Sequence, residues 1–336
     1  MRNGLIGILL ATAIAAPALA NDSTAELATG GLVLTRNDDI EMRAEDLFIS
    51  AREIRVRYRF FNTAGRDVTV LVAFPMPDVS IGHQDQNISV PTEDPVNLLG
   101  FTTRVNGRPV EARAEQKVIA DGIDRTPMLR DLGIPLAPHL RSTNEALDRL
   151  PPARWDDLLR VKLAEIEEYD VGKGMQKHLS ARWTLRTTFH WPQTFPAGAE
   201  TVIEHRYRPS VGASAGTMLG ARPAAGEEWF IDYRRKYCMD QQFLGAVERA
   251  ARAARYDTGG PFTEERIDYI LSTGANWAGP IRDFRLVVDK GDADSLVSFC
   301  GDGVKKIGPT QFEMRKSNFT PRGNFSVLIL KKVREP

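Results

Sequence analysis

The sequence has only two cysteines, no excess of charge of either sign and no long apolar run in its body. Lysine and arginine number 44, and aspartate and glutamate also number 44. This balance gives no electrostatic reason to expect a nucleic acid or an anionic membrane as partner. After the N-terminal segment, no apolar run reaches the about 20 residues that a membrane-spanning helix needs. A hydrophobic content of 42% indicates a globular chain rather than a disordered one.

The first residues have the pattern of a secretory signal peptide. Arg2 gives a positive start, residues 5–16 are apolar or small, and Ala18-Leu19-Ala20 matches the pattern that signal peptidase recognises. The alternative is an uncleaved membrane anchor, but the apolar run is shorter than the about 20 residues of a spanning helix. We therefore predict a signal peptide over 1–20, a mature chain that begins at Asn21, and a periplasmic or secreted location. No transmembrane segment is expected after cleavage.

The two cysteines, Cys238 and Cys300, are predicted to form a disulfide. An exported chain folds under oxidising conditions, where an even number of cysteines usually means a bridge. In the alternative, one thiol is a nucleophile, which requires a nearby base and a lowered pKa. Neither cysteine lies in a recognised catalytic motif.

Alternating apolar and polar residues predict β-strands along much of the chain. Residues 54–60 alternate in this way, residues 68–74 do so again after a polar turn, and together they predict a β-hairpin. A second hairpin is predicted at Asn106-Gly107, because both residues tolerate the positive φ of a tight turn. Trp183 and Phe189 belong to a later alternating segment, and we expect them to share a core with Tyr58 and Phe60.

Helical spacing of apolar residues occurs in two places. Between about 140 and 172, apolar residues recur every three or four positions up to about Tyr169, which predicts a helical insertion. A second helix is predicted over 239–255, where a similar pattern ends near Gly259-Gly260-Pro261. Just before it, Trp229, Ile231 and Tyr233 alternate as in a strand.

These patterns predict a mostly β fold, of the β-rich α+β class, with two antiparallel β-sandwich-like domains. The first domain is 21–210 and carries the helical insertion. A linker rich in Gly, Ala, Ser and Pro follows over 211–226. The second, smaller domain is 227–336 and carries one helix and the disulfide.

Catalytic and metal-binding motifs are scarce. The five histidines are His83, His139, His178, His190 and His205, and they form no close metal-binding pair. Ser214 is flanked by glycines like a hydrolase nucleophile, but its surroundings are linker-like rather than a strand-to-helix turn. Two acidic clusters, one at 38–41 and one at 289–294, lack the ligand spacing of a helix-loop-helix calcium site. We therefore predict no metal, no cofactor and no catalytic residue.

An arginine face is the clearest candidate for binding. Alternation points Arg55, Arg57 and Arg59 to one side of a strand. If later strands adjoin, Arg186 and Arg206 extend the same face, and guanidinium groups there would bind carboxylates or phosphates. The alternative is an ordinary solvated sheet face whose arginines pair with acidic residues on neighbouring strands.

Several motifs together resemble a bacterial family of exported proteins that is defined only as domain of unknown function 4424. The resemblance covers nearly the whole mature chain and implies export and a shared architecture, with no activity. The motifs are Asn21-Asp22-Ser23, Asn37-Asp38-Asp39-Ile40, Glu45-Asp46-Leu47-Phe48-Ile49, Ile54-Arg55-Val56-Arg57-Tyr58, Ala73-Phe74-Pro75-Met76-Pro77, Trp191 to Gly198, Tyr237-Cys238-Met239-Asp240, Asn276-Trp277, Gly279-Pro280-Ile281 and Ser298-Phe299-Cys300-Gly301.

A weaker likeness concerns the first domain alone. Residues 73–77, Gly100-Phe101 and Val105-Asn106-Gly107-Arg108 are similar to the N-terminal β-sandwich of inter-alpha-trypsin inhibitor heavy chains. Such modules act in extracellular recognition and assembly, but fold alone does not imply function.

The sequence therefore predicts a non-enzymatic binding or structural module of the cell envelope, with an envelope protein or an anionic ligand as partner. The alternative is a cell-envelope hydrolase with an unrecognised site. A hydrolase would gather a histidine with a carboxylate or a nucleophile in a concave pocket. A binding protein would instead present an apolar or charged surface patch.

Overall fold

A computed structural model describes residues 21–28, 31–81, 87–170, 172, 174–214, 216–217, 219, 227–253 and 261–333. The predicted signal peptide and His83 lie outside these ranges. Within them the chain forms twenty-two strands and five α-helices, so the prediction of a mostly β fold is confirmed. No helix in the described ranges is long and apolar enough to cross a membrane.

The strands are, in chain order, β1 Ser23–Ala28, β2 Gly31–Thr35, β3 Ile40–Ser50, β4 Ile54–Asn62, β5 Val68–Pro75, β6 Val79–Ser80, β7 Asn87–Ser89, β8 Thr102–Val105, β9 Arg108–Val110, β10 Arg113–Ala120, β11 Ile123–Asp124, β12 Ala164–Asp170, β13 Met175–Ala181, β14 Thr184–Phe195, β15 Glu200–Tyr207, β16 Val211–Ser214, β17 Phe262–Tyr269, β18 Ile281–Asp289, β19 Leu296–Phe299, β20 Lys305–Lys306, β21 Gln311–Phe319 and β22 Phe325–Lys332. The helices are α1 Thr126–Asp131, α2 Arg141–Asp148, α3 Pro152–Arg160, α4 Glu228–Tyr237 and α5 Gln241–Ala253.

An eight-stranded sheet runs through both halves of the sequence, in the order β20-β21-β18-β3-β4-β15-β8-β9. Its halves meet where β3 pairs in parallel with β18, so that Ala44 lies opposite Asp283 and Ser50 opposite Asp289. The main-chain N–H and C=O groups at a strand edge need hydrogen-bond partners. Here β3, from the first half of the chain, and β18, from the second half, supply these partners for each other. The eight-stranded sheet therefore contains strands from both sides of 211–226, and residues 211–214 of the predicted linker form β16.

A seven-stranded sheet packs on part of the inner face of the eight-stranded sheet. It contains β11, β10, β14, β5, β1 and β2 in that order, with β6 added beside β14. Aromatic rings fill the interface, where the ring centroids of Phe60 and Phe195 are 5.8 Å apart and those of Phe74 and Tyr207 are 5.9 Å apart. The hairpin predicted over 54–74 is wrong, because β4 pairs with β3 and β15 whereas β5 pairs with β14 and β1.

A five-stranded sheet, β19-β22-β17-β16-β7, adds a further layer. One side of its strands contributes Ile267, Tyr269 and Val327 to the main core. The other side contributes Leu328 and Leu330 to a smaller core that is covered by α4 and α5. The prediction of one helix over 239–255 is therefore incomplete. The strand-like pattern of 229–233 lies in α4, whose buried residues Phe230 and Tyr237 are two helical turns apart.

The predicted helical insertion is only partly helical. It contains α2 and α3, but the helix stops at Arg160 and residues 164–170 form β12, which pairs with β13 as a separate two-stranded sheet. The apolar residues Leu163 and Ile166 have helical spacing, but Lys162 has a positive φ of 58° that ends the helix before them.

Three other predictions are confirmed. Asn106 and Gly107, with φ of 49° and 77°, connect β8 and β9 as a tight hairpin. Cys238 and Cys300 form a disulfide with a Cα–Cα distance of 5.0 Å. It links the C-terminal end of α4 to the end of β19. Tyr58, Phe60, Trp183 and Phe189 belong to one core.

Candidate functional site

The outer face of the eight-stranded sheet carries the predicted arginine face. Along β4 every second residue is exposed, and these residues are Arg55, Arg57 and Arg59. The residues between them are apolar or aromatic and are buried beneath the sheet. A strand with this alternation fixes its own orientation, because a shift by one residue would bury the three guanidinium groups.

A row of alternating charges crosses this face. In register across five strands stand Arg285, Asp46, Arg57, Glu204 and Arg104. Arg285 Nη1 lies 3.0 Å from Asp46 Oδ1, and Arg57 Nε lies 3.3 Å from Glu204 Oε1. The side chain of Arg104, at the end of the row, has no hydrogen bond or ion pair with any residue that the structure describes. Its guanidinium group is therefore the one in the row that is free to take an outside anion.

A second row lies beside the first and brings two arginines face to face. Arg55 on β4 stands directly opposite Arg206 on β15. Like charges in this position repel, and Glu53 offsets the repulsion by forming an ion pair with each arginine. Its carboxylate oxygens lie 3.1 Å from Arg55 Nε and 2.7 Å from Arg206 Nη2. The guanidinium group of Arg55 also stacks over the Phe48 ring, 4.4 Å from its centroid.

The two rows line an open groove of about 750 Å³. Five arginines and two carboxylates line it, so the groove has an excess of positive charge. Planar guanidinium groups bind carboxylates and phosphates in a bidentate manner, which makes an anion the ligand that this chemistry fits. The charged residues of the lining are Asp46, Arg55, Arg57, Arg104, Glu204, Arg206 and Arg285.

The structure brings together most of the predicted face. Arg55, Arg57 and Arg206 line the groove. Arg59 lies further along β4, where it pairs with Glu200 at 3.2 Å. Arg186 does not extend the face, because its strand β14 lies in the seven-stranded sheet, where Arg186 pairs with Asp78 at 3.1 Å.

Sequence reasoning missed two arginines of the groove. Arg104 lies on the short strand before the predicted Asn106-Gly107 turn, and the alternation of β8 and its pairing with β15 could have placed it there. Arg285 comes from the far end of the chain through the parallel pairing of β18 with β3, which no local pattern signals. Arg285 donates hydrogen bonds to Glu313 and Asp46, which raise its pKa, so this side chain is already engaged.

Beneath the groove lies a buried polar cluster of Asn21, Asp22, Glu45, Tyr58, His205 and Tyr269. His205 Nε2 is 2.9 Å from Asp22 Oδ1, and both side chains are fully buried. Burial raises the pKa of Asp22, and the neighbouring His205 opposes that rise. This histidine–carboxylate pair therefore belongs to the core, with no exposed side-chain surface.

Among the described residues, the remaining candidates for catalysis lie apart from one another. His178 Nδ1 is 2.9 Å from Asp148 Oδ2, and no serine or cysteine in the described ranges is bonded to this histidine. Ser214 lies on β16, where its hydroxyl group donates to the carbonyl of Gly216. In the same ranges no group of three or more His, Cys, Asp or Glu side chains is arranged to hold a metal ion.

Comparison with known proteins places the chain in a family without an assigned activity. No curated protein matches the sequence. A solved structure from Legionella pneumophila subsp. pneumophila str. Philadelphia 1, provisionally described as a nutrient binding protein, shares 16% identity and a TM-score of 0.44, and the match covers 93% of this chain and 70% of that one. The likeness to inter-alpha-trypsin inhibitor heavy chains has no support from these comparisons. The model of the family described as "Domain of unknown function (DUF4424)" matches residues 20–328, and the chain belongs to that family.

Proposed function

We propose that this chain is an exported, periplasmic or secreted binding module whose outer sheet face takes an anionic ligand through carboxylate or phosphate groups. The observation that carries the proposal is the groove of about 750 Å³, in which five arginines face two carboxylates. Export is supported by the predicted signal peptide and by the disulfide, a bond that persists in oxidising compartments.

Two of the groove's arginines are suited to hold the anion. Arg104 has no side-chain partner among the described residues, and Arg57 in the same row has only Glu204 at 3.3 Å. A bound carboxylate or phosphate would give Arg57 a second anionic partner and Arg104 its first. The guanidinium groups are partly exposed, so salt would screen the interaction and weaken binding as ionic strength rises.

Isothermal titration calorimetry of residues 21–336 with inorganic phosphate and with succinate tests the proposal. We expect saturable binding of at least one of the two anions. Arg104→Gln should weaken it by about tenfold or more, since hydrogen bonds to charged groups contribute about 1.5–3 kcal/mol. Arg57→Gln should have a similar effect.

Arg108→Gln is the matched control. Arg108 is an exposed arginine on β9, the neighbouring strand, but it does not line the groove. If Arg108→Gln weakens binding as much as Arg104→Gln, the attraction is a general effect of charge and the groove is not the site. Failure of both anions to bind at low ionic strength would contradict the proposed ligand class.

Cell fractionation tests the proposed location separately. The protein should be released with the periplasmic or extracellular fraction, and its intact mass should correspond to residues 21–336. A protein that stays in the membrane with Met1 to Ala20 attached would contradict export as a soluble chain.

A further inference from the structure

The first residues after the predicted cleavage site lie at the centre of the molecule. Asn21, Asp22 and Ser23 each have 0% exposure. Chain termini are usually exposed and poorly ordered unless they are held in place. A signal peptidase would therefore create its new terminus on a residue that the fold buries.

A clamp from the other end of the sequence holds these residues. Thr273 Oγ1 donates to the carbonyl of Asn21 at 2.7 Å, and Trp277 Nε1 donates to the carbonyl of Asp22 at 2.6 Å. The clamp also fits closely, because a Cβ on Gly274 would lie 2.7 Å from Asn21 Nδ2. The position of Asn21 is therefore set by specific contacts.

The carboxyl groups around Asn21 have no lysine or arginine as counter-ion among the described residues. Glu45 is 1% exposed, and its Oε2 accepts from Asn21 Nδ2 at 3.3 Å while its Oε1 has no donor. Asp22 is bonded to His205 through Oδ1, but its Oδ2 also has no donor. In the described ranges no lysine or arginine pairs with either carboxyl group. A buried carboxylate without a cation strongly destabilises a fold.

The other ionisable neighbours do not supply a cation for Glu45, since the tyrosines stay neutral and the histidine is bonded to Asp22. Tyr58 donates its hydroxyl to Asn21 Oδ1, and its oxygen is 3.3 Å from that of Tyr269. Both phenols are fully buried, which raises their pKa well above the usual value, so they remain neutral. Tyr207 is likewise buried and its pKa is raised. His205 is already bonded to Asp22.

We propose that the α-ammonium group of Asn21, created by removal of residues 1–20, is the counter-ion of Glu45 in the core. The proposal rests on the predicted cleavage after Ala20. Hydrolysis of that peptide bond consumes one water molecule, leaves a carboxylate on Ala20 and an amine on Asn21, and the amine takes up a proton. Maturation would then complete the core as well as release the leader.

The state of Glu45 before cleavage fits this assignment. With Asn21 in a peptide bond, burial raises the pKa of Glu45 to about 8. The carboxyl group must then either keep its proton or ionise without a counter-ion, which would destabilise the fold. An ammonium group on the residue that already touches Glu45 would let it ionise. The uncleaved chain would consequently have a less stable fold than the mature chain.

A double-mutant cycle on the mature chain tests the pairing. The chain that begins at Asn21 is compared with the same chain acetylated at its α-amine, each with and without Glu45→Gln. We expect acetylation to lower the folding equilibrium constant about a hundredfold or more when Glu45 is present, as for loss of one partner of a buried ion pair. In the Glu45→Gln variant, the loss should be at least tenfold smaller.

The cycle separates the ion pair from simple crowding by the acetyl group, which would act equally in both backgrounds. Equal losses in both would overturn the proposal. Glu26→Gln, an exposed carboxylate on β1, is the control and should leave the effect of acetylation unchanged. If the effect of acetylation depends on Glu26 as strongly as on Glu45, it is a general electrostatic effect, and the proposal is also overturned.

Two further measurements keep the proposal testable if the acetylated chain does not fold. In the native mature protein, an amine-reactive reagent should modify the Asn21 α-amine only as fast as the protein unfolds, whereas exposed lysines react at once. Rapid modification of Asn21 would overturn the proposal. The intact mass of the exported protein must also correspond to a chain that starts at Asn21, and any other start would overturn it.

Discussion

Removal of the disulfide should destabilise the protein by an amount that follows from its position. Cys238 and Cys300 are 62 residues apart, and the enclosed segment contains α5, β17, β18 and β19. In the chain-entropy model, freeing a loop of this length costs about 4 kcal/mol. Neither cysteine is buried, so replacement by serine leaves no cavity that would add to this figure.

Urea unfolding of the Cys238→Ser/Cys300→Ser variant measures this cost. The variant should lose about 4 kcal/mol of unfolding free energy relative to the oxidised protein. The reduced natural sequence should match the double variant, because both lack the same constraint. Thiol titration of the denatured protein without reductant should find no free thiol.

A loss below about 1 kcal/mol would refute the reasoning, since it would mean that the crosslink scarcely restricts the unfolded chain. A loss confined to the double variant and absent from the reduced protein would trace the effect to the serines instead. Two titratable thiols in the exported protein would show that the bridge does not form there.

Three other perturbations probe the outer face, the clamp and the buried carboxyl group. Arg57→Gln should change the unfolding free energy by less than about 0.5 kcal/mol in urea, because its pair with Glu204 is about half exposed; a larger loss would contradict a solvated face. Gly274→Ala should cost about 1–3 kcal/mol, since its Cβ would meet Asn21 at 2.7 Å. Gly65→Ala, with open space around it, is the control and should be nearly neutral. In the chain acetylated at Asn21, stability should fall by about 1.4 kcal/mol per pH unit from about pH 5 to pH 7. In this pH range the folded state keeps a proton on Glu45, because the pKa of Glu45 is raised to about 8. The unfolded chain has released that proton. Urea unfolding at several pH values in this range should show a weaker dependence of the unfolding free energy on pH for the unacetylated chain and for Glu45→Gln. Equal pH dependence in all three proteins would contradict the pairing of Glu45 with the Asn21 α-ammonium group.

Local patterns predicted the features that depend on neighbouring residues. The alternation in β4 placed Arg55, Arg57 and Arg59 on an outer face, and Asn106-Gly107 predicted the hairpin, because a strand period and a two-residue turn are both set within a few positions. The disulfide followed from the cysteine count and the expected compartment.

Features that depend on contacts between distant residues could not be predicted from local sequence patterns. The hairpin of 54–74 failed because the polar turn allows the chain to pass from one sheet to another, and only the whole fold decides which. Arg285 joins the groove through a strand pairing that no local signal encodes. Asn21 and Asp22 are polar residues beside a cleavage site, where exposure is the ordinary expectation, and their burial depends on Thr273 and Trp277.

The parallel pairing of β3 with β18 also governs the order in which the molecule can fold. Asp46 and Arg285, which face each other across this pair, are 239 residues apart in the chain. The ribosome finishes β3 long before β18, so one edge of β3 must wait unpaired while most of the chain is still being made. Closing so large a loop slows folding, and an unpaired edge invites association with other chains. We therefore expect the central sheet to form late, and until then the chain is most open to association with its own copies.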